Sequence, residues 1–88
     1  MKYKLIFTKK AQKEFSSLDA YVQRKIQVYL DRHVNDNENP RAAGSPLSGE
    51  LSNYWRYRIG DYRVICEIRD DIFVVIAIKT GHRSKIYR

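Results

Sequence analysis

The sequence is poor in cysteine, in histidine and in long apolar runs, and each scarcity excludes a class of protein. Cys66 is the one cysteine in 88 residues, so the chain forms no internal disulfide and no multi-cysteine metal site. Two histidines without carboxylates at ligand spacing argue against zinc, and no Gly-x-x-x-x-Gly-Lys loop is present to hold a nucleotide. The longest apolar run, residues 72–78, is too short to span a bilayer. We therefore expect a cytoplasmic protein that uses no metal or cofactor and does not act at a membrane.

Acidic residues are also scarce relative to basic ones. Ten Asp and Glu stand against 17 Lys and Arg, which gives a formal charge of +7. Because 43% of the residues are hydrophobic, the chain is of the globular kind, and its length fits one domain over residues 1–88. The positive surplus favours an anionic partner. Nucleic acid is the first candidate, an acidic protein segment the second, and a membrane surface the third and weakest.

The first half of the chain predicts a strand followed by a helical hairpin. Strand-forming residues fill 3–7 and end at Thr8, which is suited to cap a helix over KKAQKEFSSL. Asp19 caps a second predicted helix over residues 20–36, in which Val22, Ile26 and Leu30 recur at every fourth position. The Asn, Asp, Pro and Gly residues that follow predict a loop up to residue 46.

The second half changes to the period of β-strands. In YWRYRI (54–59), Trp55, Tyr57 and Ile59 alternate with Tyr54, Arg56 and Arg58, which predicts a half-buried strand. After the turn at Gly60-Asp61, RVICEI (63–68) predicts a second strand, and the apolar run predicts a third that is central and buried on both faces.

The end of the chain is less regular. We predict a loop over residues 79–82, and either a final short strand or an ordered tail over residues 84–87. The expected fold class is α+β, in which an N-terminal helical hairpin packs on one face of a small, mainly antiparallel sheet. The first strand of the chain adds to this sheet as an edge.

The sheet face away from the hairpin would carry Arg56, Arg58 and Arg63. Three arginines this close are unfavourable unless an anion or a carboxylate lies nearby. Guanidinium groups donate in a plane that suits phosphate oxygens, so this face is a candidate site for an RNA backbone. The alternative is a solvated strand face in which Arg58 or Arg63 pairs with Asp61 or Glu67.

The C-terminal stretch GHRSKIYR combines an imidazole, fixed positive charge and an aromatic ring. RNA cleavage needs a base near the ribose 2′-OH, cations at the phosphate, an acid at the leaving oxygen and a ring that stacks on a base. The alternative is a solvated basic tail. Basic residues predicted to bind RNA or the ribosome, or only to keep the surface soluble, are Lys2, Lys4, Lys9, Lys10, Lys13, Lys85 and Arg88.

These elements and motifs together resemble the RelE toxins of bacterial type II toxin-antitoxin modules over essentially the whole chain. The resemblance is carried by PLSGEL followed by WRYRIGDYRVI, and by Gly-His-Arg shortly before a tyrosine. It implies a microbial ribonuclease-like fold and an mRNA interferase, which is an endoribonuclease that inhibits translation. Such an enzyme cuts mRNA in the ribosomal A site, where it lies in contact with ribosomal RNA. In that family the 2′-oxygen attacks the adjacent phosphate without a metal. The implied protein partner is a cognate antitoxin that wraps the toxin with an acidic and apolar segment.

The resemblance also implies roles for individual residues. Arg56 and Arg63 match positions that stabilise the phosphate and the transition state. Arg83 matches a position that donates a proton or stabilises the leaving group, and Tyr87 matches a tyrosine that orients or stacks on the substrate nucleotide.

One departure from the family pattern concerns the general base. The best-known members carry lysine at the positions of Arg56 and Arg58, and the second lysine is the proposed base. A guanidinium has a pKa above about 12, so Arg58 is better suited to clamp a phosphate than to accept a proton. The base is left open among His82, Tyr87 and solvent. We hypothesise that His82 is catalytic because imidazole titrates in the required range, the alternative being that it shapes the loop.

Two other functions compete with the nuclease. The first is a non-enzymatic toxin of the related ParE group, which shares the fold and inhibits DNA gyrase by binding. The second is a decayed member that keeps only antitoxin binding. The convergence of several cations and a tyrosine on one phosphate favours the nuclease, because a gyrase binder has no need of that arrangement.

Overall fold

Two helices and five strands make up the computed structural model, which describes residues 1–86. In chain order they are β1 (Lys4–Phe7), α1 (Lys9–Ser16), α2 (Ala20–His33), β2 (Ser45–Pro46), β3 (Tyr54–Ile59), β4 (Tyr62–Arg69) and β5 (Val74–His82). Short 3-10 turns lie at Pro40–Ala42 and Gly49–Leu51. The predicted α+β class is confirmed.

The five strands form one mixed sheet in the order β1-β5-β4-β3-β2. β1 runs parallel to β5, and the other pairings are antiparallel, so the prediction of a mainly antiparallel sheet with the first strand at its edge is confirmed. We call the side of the sheet covered by α1 and α2 the helix face, and the other side the open face.

Both helices begin at the predicted caps. The Thr8 side chain accepts a hydrogen bond from the amide of Ala11 at 3.1 Å, and the Asp19 carboxylate accepts one from Tyr21 at 3.0 Å. These bonds satisfy amides that have no partner inside their helices.

The second helix ends at His33, three residues before the predicted end. The cause is competition from β1, which draws the backbone of residues 35–37 away from the helix. The Asn35 side chain accepts from the amide of Leu5 at 3.0 Å, and the Asn37 carbonyl accepts from Tyr3 at 2.8 Å. This β1 contact protects part of the sheet edge.

The last strand differs most from the prediction. It continues through His82, so the predicted loop over residues 79–82 is wrong, because β4 supplies pairing partners up to the end: Gly81 lies opposite Arg63, and His82 lies opposite Tyr62. Nor is β5 buried on both faces, since Val75 and Ala77 are buried while Ile76 is half-buried. The central position of the sheet belongs to β4.

Each face of the sheet has its own apolar cluster. The larger cluster fills the helix face and comprises Tyr3, Ala11, Ile26, Leu30, Val34, Tyr57, Ile59, Val64, Cys66, Val75 and Ala77. On the open face, Leu47, Ile65 and Ile86 form a small second cluster. The alternation predicted for β3 is confirmed, because Tyr57 and Ile59 are buried on the helix face and Arg58 is exposed.

A polar clamp ties three separate parts of the chain together. Arg41 binds both carboxylate oxygens of Asp70, at 2.8 and 3.0 Å, and the Tyr3 hydroxyl donates to the same carboxylate at 2.6 Å. The hydrogen bonds from Arg41 and Tyr3 lower the pKa of Asp70 to about 2. The clamp joins the loop before β2, the β4–β5 turn and the start of β1.

The clamp predicts an acid-sensitive component of stability. Because the pKa of Asp70 is lowered on folding, its contribution is complete above the unfolded pKa of about 4 and is lost as the pH falls toward about 2. We expect Asp70→Asn to melt at a lower temperature than wild type at neutral pH, and to lose less in melting temperature between about pH 5 and pH 2. Thermal unfolding followed by circular dichroism measures both.

The matched control is Asp71→Asn on the same turn. Asp71 lies 3.4 Å from Arg69 and does not contact Arg41 or Tyr3 in the described structure. It should keep the wild-type pH dependence. Identical profiles for Asp70→Asn and wild type would contradict the role given to the clamp.

Candidate functional site

The three strand arginines lie together on the open face. Arg58 is directly opposite Arg63 in the β3–β4 register, and Arg56 is opposite Ile65. Directly opposed residues of antiparallel strands share a face with their Cβ atoms about 5 Å apart. Two residues along a strand correspond to about 7 Å, which is the separation of Arg56 from Arg58. All three therefore fall within the reach of one nucleotide.

The neighbouring carboxylates do not neutralise this cluster in the way the alternative interpretation supposed. Asp61 pairs with Arg83 at 3.7 Å, and Glu67 lies 4.0 Å from Arg69. Within residues 1–86, neither Arg58 nor Arg63 pairs with Asp61 or Glu67. Asp61 and Glu67 therefore leave the positive charges of Arg58 and Arg63 uncompensated.

Arg63 is the most rigidly held of the three. It is only 5% exposed, and its Nη1 donates to the carbonyls of Gly60 and Tyr62, both at 2.9 Å. These two bonds fix the guanidinium against the β3–β4 turn. A group held in this way is prearranged for a ligand and loses little freedom when the ligand binds.

Arg56 lies at the other end of the cluster, beside the short strand β2. Its Nη2 donates to the Ser45 hydroxyl at 3.1 Å, and the side chain is half-buried. It borders an open hollow of about 460 Å³ whose other walls come from Pro46, Leu47, Ser48 and Leu51. The hollow gives the open face a concave surface next to the arginines.

The chain after β5 returns to the same end of the sheet. The Arg83 amide donates to the Asp61 carbonyl at 2.8 Å, and its side chain forms the exposed ion pair with the Asp61 carboxylate. Ile86 then packs with Leu47 and Ile65 on the open face. Residues 83–86 therefore form a turn that folds back toward the arginines, with no strand in this part. Tyr87 and Arg88 lie outside the described residues.

His82 lies on the other side of the sheet. It is opposite Tyr62, which is opposite Ile59 of the helix-face core, and the Tyr62 and His82 rings meet edge to face at 5.4 Å. Arg58 and Arg63 occupy the open face. The structure therefore does not bring His82 onto the same face as the arginines.

The hydrogen bonds of His82 also define its neutral tautomer. The Ser84 amide donates to Nδ1 at 3.1 Å, and the Ser84 hydroxyl lies 2.8 Å from the same nitrogen. Because a backbone N–H can only donate, Nδ1 is the acceptor and the ring proton is on Nε2. In this arrangement the ring offers a donor, and its acceptor nitrogen is occupied.

His82 opens onto a cleft between α1 and the second half of β5, which we call the α1–β5 cleft. Its volume is about 690 Å³, and its polar walls come from Lys10, Tyr62, Lys79, Thr80, His82 and Lys85, with Glu14 beside them. The Glu14 carboxylate accepts the Thr80 amide at 3.1 Å. This contact joins residues 66 positions apart, and no local sequence pattern predicts it.

The N-terminal lysines divide into two groups. Lys2 and Lys4 lie 3.9 and 3.0 Å from the Asp36 carboxylate, and the hydrogen bond from Lys4 lowers the pKa of Asp36. Lys9, Lys10 and Lys13 lie exposed on α1. Of the predicted RNA-binding lysines, Lys10 and Lys85 line the α1–β5 cleft, while Lys9 and Lys13 line a more open hollow beside β1.

Two further properties concern the described part of the chain. Among residues 1–86, no group of three or more His, Cys, Asp or Glu side chains is placed to hold a metal ion. No helix in that range has both the length and the apolar character needed to cross a membrane.

Comparison with known proteins supplies independent information. The profile of the family described as the ParE toxin of the type II toxin-antitoxin system parDE matches residues 5–87. Toxin RelG of Mycobacterium tuberculosis is 27% identical over 88 residues, which is 100% of this chain and 99% of that protein. Toxin RelE3 of Methanocaldococcus jannaschii is 26% identical over 85 residues, covering 96% and 94%.

A solved structure resembles the whole fold. One chain of the toxin-antitoxin complex RelBE2 from Mycobacterium tuberculosis superimposes with a TM-score of 0.78 at 25% identity. The match covers 94% of this chain and 100% of that one.

Proposed function

Because the chain belongs to the ParE toxin family of type II toxin-antitoxin systems, within the RelE/ParE superfamily, we propose that it cuts messenger RNA on the ribosome. It acts in the cytoplasm as an endoribonuclease of the ribosomal A site and inhibits translation. The ribose 2′-oxygen attacks the adjacent phosphate, and the 5′-oxygen of the next nucleotide leaves. The protein supplies cations, hydrogen bonds and positioning for this step, without a metal.

The observation that supports this proposal is the Arg58–Arg63 pair, with Arg83 fastened at the same end of the sheet. In-line attack on a phosphodiester develops negative charge on the phosphate oxygens, and fixed guanidinium groups stabilise such charge. Arg63 is already held by two carbonyls, so it is suited to bind the transition state. Arg58 is exposed and clamps the phosphate from the solvent side.

The remaining roles follow the family pattern. Arg56 stabilises the phosphate from the hollow beside β2, and Arg83 stabilises the leaving oxygen. Arg83 can reach the substrate without a large cost, because its ion pair with Asp61 is exposed and such pairs contribute little. Tyr87 orients or stacks on the nucleotide, and the base remains assigned to His82, Tyr87 or solvent.

Primer extension on a translated message tests the proposal. Wild-type protein should produce discrete cuts within codons that depend on translation. An intact message together with stalled DNA gyrase would show that the protein acts in another way and would end the nuclease proposal.

The geometry of His82 leads to a sharper prediction for that residue. An asparagine side chain places an acceptor close to the position of Nδ1, whereas glutamine does not. If His82 positions the turn through Ser84, His82→Asn should keep cleavage near the wild-type rate and His82→Gln should lower it about tenfold, for a lost hydrogen bond. Single-turnover cleavage of ribosome-bound message measures both.

The same pair of variants separates positioning from proton transfer. A general base contributes about 10²- to 10⁴-fold, so its loss would lower the rate by that amount in both variants and remove a step from the pH profile. That result would restore the catalytic hypothesis for His82 and contradict the positioning role. Full activity of His82→Gln would contradict both.

An antitoxin is the proposed protein partner. The Mycobacterium tuberculosis neighbour is a toxin-antitoxin complex by its description, and the charge of +7 on this chain is suited to an acidic partner. Apolar side chains exposed on α2 supply contact area, since Tyr21 is 69% and Val28 is 47% exposed. We propose that an acidic and apolar segment of the antitoxin binds along the helices and covers the arginines.

A further inference from the structure

The α1–β5 cleft has the size and the charge of a binding site. Its volume of about 690 Å³ lies within the range of about 300–1,000 Å³ typical of ligand sites. Three lysines from separate segments line it: Lys10 from α1, Lys79 from β5 and Lys85 from the turn that follows. Lys10 and Lys85 form no ion pair within residues 1–86. The cleft therefore carries positive charge that an external anion would neutralise.

The one carboxylate in the lining is already engaged. Glu14 accepts the amide of Thr80 at 3.1 Å, at the stretch of β5 that extends beyond the β1 pairing. It thereby covers a main-chain donor at an exposed strand edge. His82 adds a donor to the same wall, because its neutral tautomer carries the proton on Nε2.

The hydroxyl of Thr80 is a second, independent indication of a ligand. Thr80 is 3% exposed, and its Oγ1 has no hydrogen-bond partner among the described residues. Buried hydroxyls in folded proteins are normally hydrogen-bonded, so an unsatisfied one needs an explanation. An anion oxygen that enters the cleft as far as Thr80 would accept this proton.

The cleft also offers a surface for a nucleobase. The Tyr62 ring lies in its wall, edge-on to His82, and Leu18 contributes an apolar side chain. Cations beside an aromatic ring characterise sites for single-stranded nucleic acid, in which phosphates bind the cations and bases stack on the ring. A carboxylate peptide would use the lysines but not the ring.

The cleft adjoins the arginine cluster across the end of β5. Gly81 lies opposite Arg63, while the neighbours of Gly81, which are Thr80 and His82, face the cleft. Because the cleft lies on the helix face, an RNA strand bound at Arg63 reaches it by passing around the edge of β5. That edge is one strand spacing of about 4.8 Å away and has no β1 partner beyond Ala77.

We propose that the α1–β5 cleft is a second RNA subsite, which binds a phosphate and base of the strand next to the cleaved bond. The phosphate is held by Lys10, Lys85 and the Thr80 hydroxyl, and the base lies on Tyr62. The identity of the strand as the cleaved RNA rests on the proposed function. The inference that the cleft binds a phosphate with an attached base does not depend on the proposed function.

Binding of a non-cleavable strand tests the subsite directly. A hexanucleotide of DNA lacks the 2′-hydroxyl and cannot be cut, and it can be titrated into the isotope-labelled full chain while amide NMR shifts are recorded. Thr80→Val keeps the shape of the side chain and removes the hydroxyl. We expect it to weaken binding about fivefold while raising thermal stability, because an unsatisfied buried hydroxyl is removed. Thr80→Ser should bind like wild type.

The charge of the cleft is tested with matched lysine variants. Lys10→Gln should weaken binding of the hexanucleotide. It should also reduce the magnitude of the slope of log affinity against log salt concentration by about one, as expected for one lost phosphate contact. Lys25→Gln removes the same charge from α2, outside the cleft lining, and should leave the slope near that of wild type. Equal effects of the two variants would overturn the assignment.

Other probes decide what occupies the cleft. If inorganic phosphate or a mononucleotide binds as tightly as the hexanucleotide, the ligand of the cleft is a free phosphate compound and not an RNA strand. If a hexaglutamate peptide binds more tightly than the hexanucleotide, the ligand of the cleft is an acidic protein segment and not nucleic acid. Unmoved amides of Tyr62, Thr80 and His82 would overturn the subsite altogether.

These experiments distinguish a failure of the RNA subsite from a failure of the proposed nuclease function. A protein that binds the hexanucleotide in the cleft, with the expected Thr80→Val effect, but leaves ribosome-bound message intact would refute the nuclease and retain the subsite. A protein that cuts the message, and whose Thr80→Val variant binds and cuts like wild type, would refute the subsite alone.

Discussion

Replacing Arg63 with alanine should slow cleavage of ribosome-bound message by about a hundred- to a thousand-fold, the range found when one fixed donor to a developing negative charge is removed. The reason is the geometry of the guanidinium, which is buried and held by the carbonyls of Gly60 and Tyr62 before any substrate arrives. Arg63→Lys keeps the charge but offers its donors from a single nitrogen instead of a planar fork, so it should recover only part of the rate. Primer extension under single-turnover conditions measures the loss.

Arg69→Ala is the matched control for this variant. Arg69 lies six positions further along β4, on the same face by alternation, and it pairs with Glu67 and Asp71. Its removal changes the net charge equally and should leave cleavage near the wild-type rate.

Folding and partner binding must be measured in the same samples. Loss of the Arg63 hydrogen bonds is expected to cost about 1–2 kcal/mol of stability, which leaves a folded protein. Antitoxin binding should remain largely intact. If Arg63→Ala and Arg69→Ala reduce cleavage equally, the effect is one of net charge and the fixed guanidinium has no special role. Loss of antitoxin binding together with cleavage would mean either that the substitution disturbs the fold or that antitoxin affinity depends on Arg63 itself and not chiefly on contacts along the helices.

Replacing Gly44 with alanine should destabilise the protein by about 3 kcal/mol, the sum of backbone strain and a steric clash. Gly44 has a positive φ of 79°, and a Cβ atom there would lie 2.5 Å from the Arg56 carbonyl oxygen and 2.6 Å from the Trp55 ring nitrogen. The obstacle includes backbone of β3, so it cannot be relieved by rotating a side chain. Urea unfolding measures the loss.

Gly49→Ala separates the two causes. Gly49 also has a positive φ, of 66°, but a Cβ atom there would have no neighbour within 4 Å. It should therefore lose only the strain component, about 1–2 kcal/mol. Equal losses at Gly44 and Gly49 would show that the contact with β3 is unimportant. A larger loss at Gly44 would show that β3, the strand that carries Arg56, packs closely against residue 44 and leaves no room for a side chain there.

The parts of the fold governed by neighbouring residues could be predicted from the sequence. Thr8 and Asp19 cap the helices because a side-chain oxygen at those positions reaches amides only two or three residues away. The bounds and faces of β3 follow from strict alternation over Tyr54–Ile59. The same alternation places Arg56 and Arg58 on one face without reference to any tertiary contact.

The parts that depend on distant residues could not be predicted in this way. Polar residues and a glycine over 79–82 indicate a loop locally, yet pairing with β4 extends β5 through them. Once His82 belongs to a strand, its face is set by its partner Tyr62, and that partner places it away from the arginines. The Glu14–Thr80 bond and the packing of Ile86 on Ile65 likewise have no local signature.

The parallel pairing of β1 with β5 has a consequence for how this chain is made. Lys4 lies beside Val74, so the first strand to be synthesised has no partner in the sheet until the last strand has been made. Contacts between such distant segments make folding slow, because a long loop must close before they form. Arg63 likewise gains its neighbour on β5 only when Gly81 has left the ribosome. The face that carries the arginines is thus complete only after the segment that forms β5 has been made.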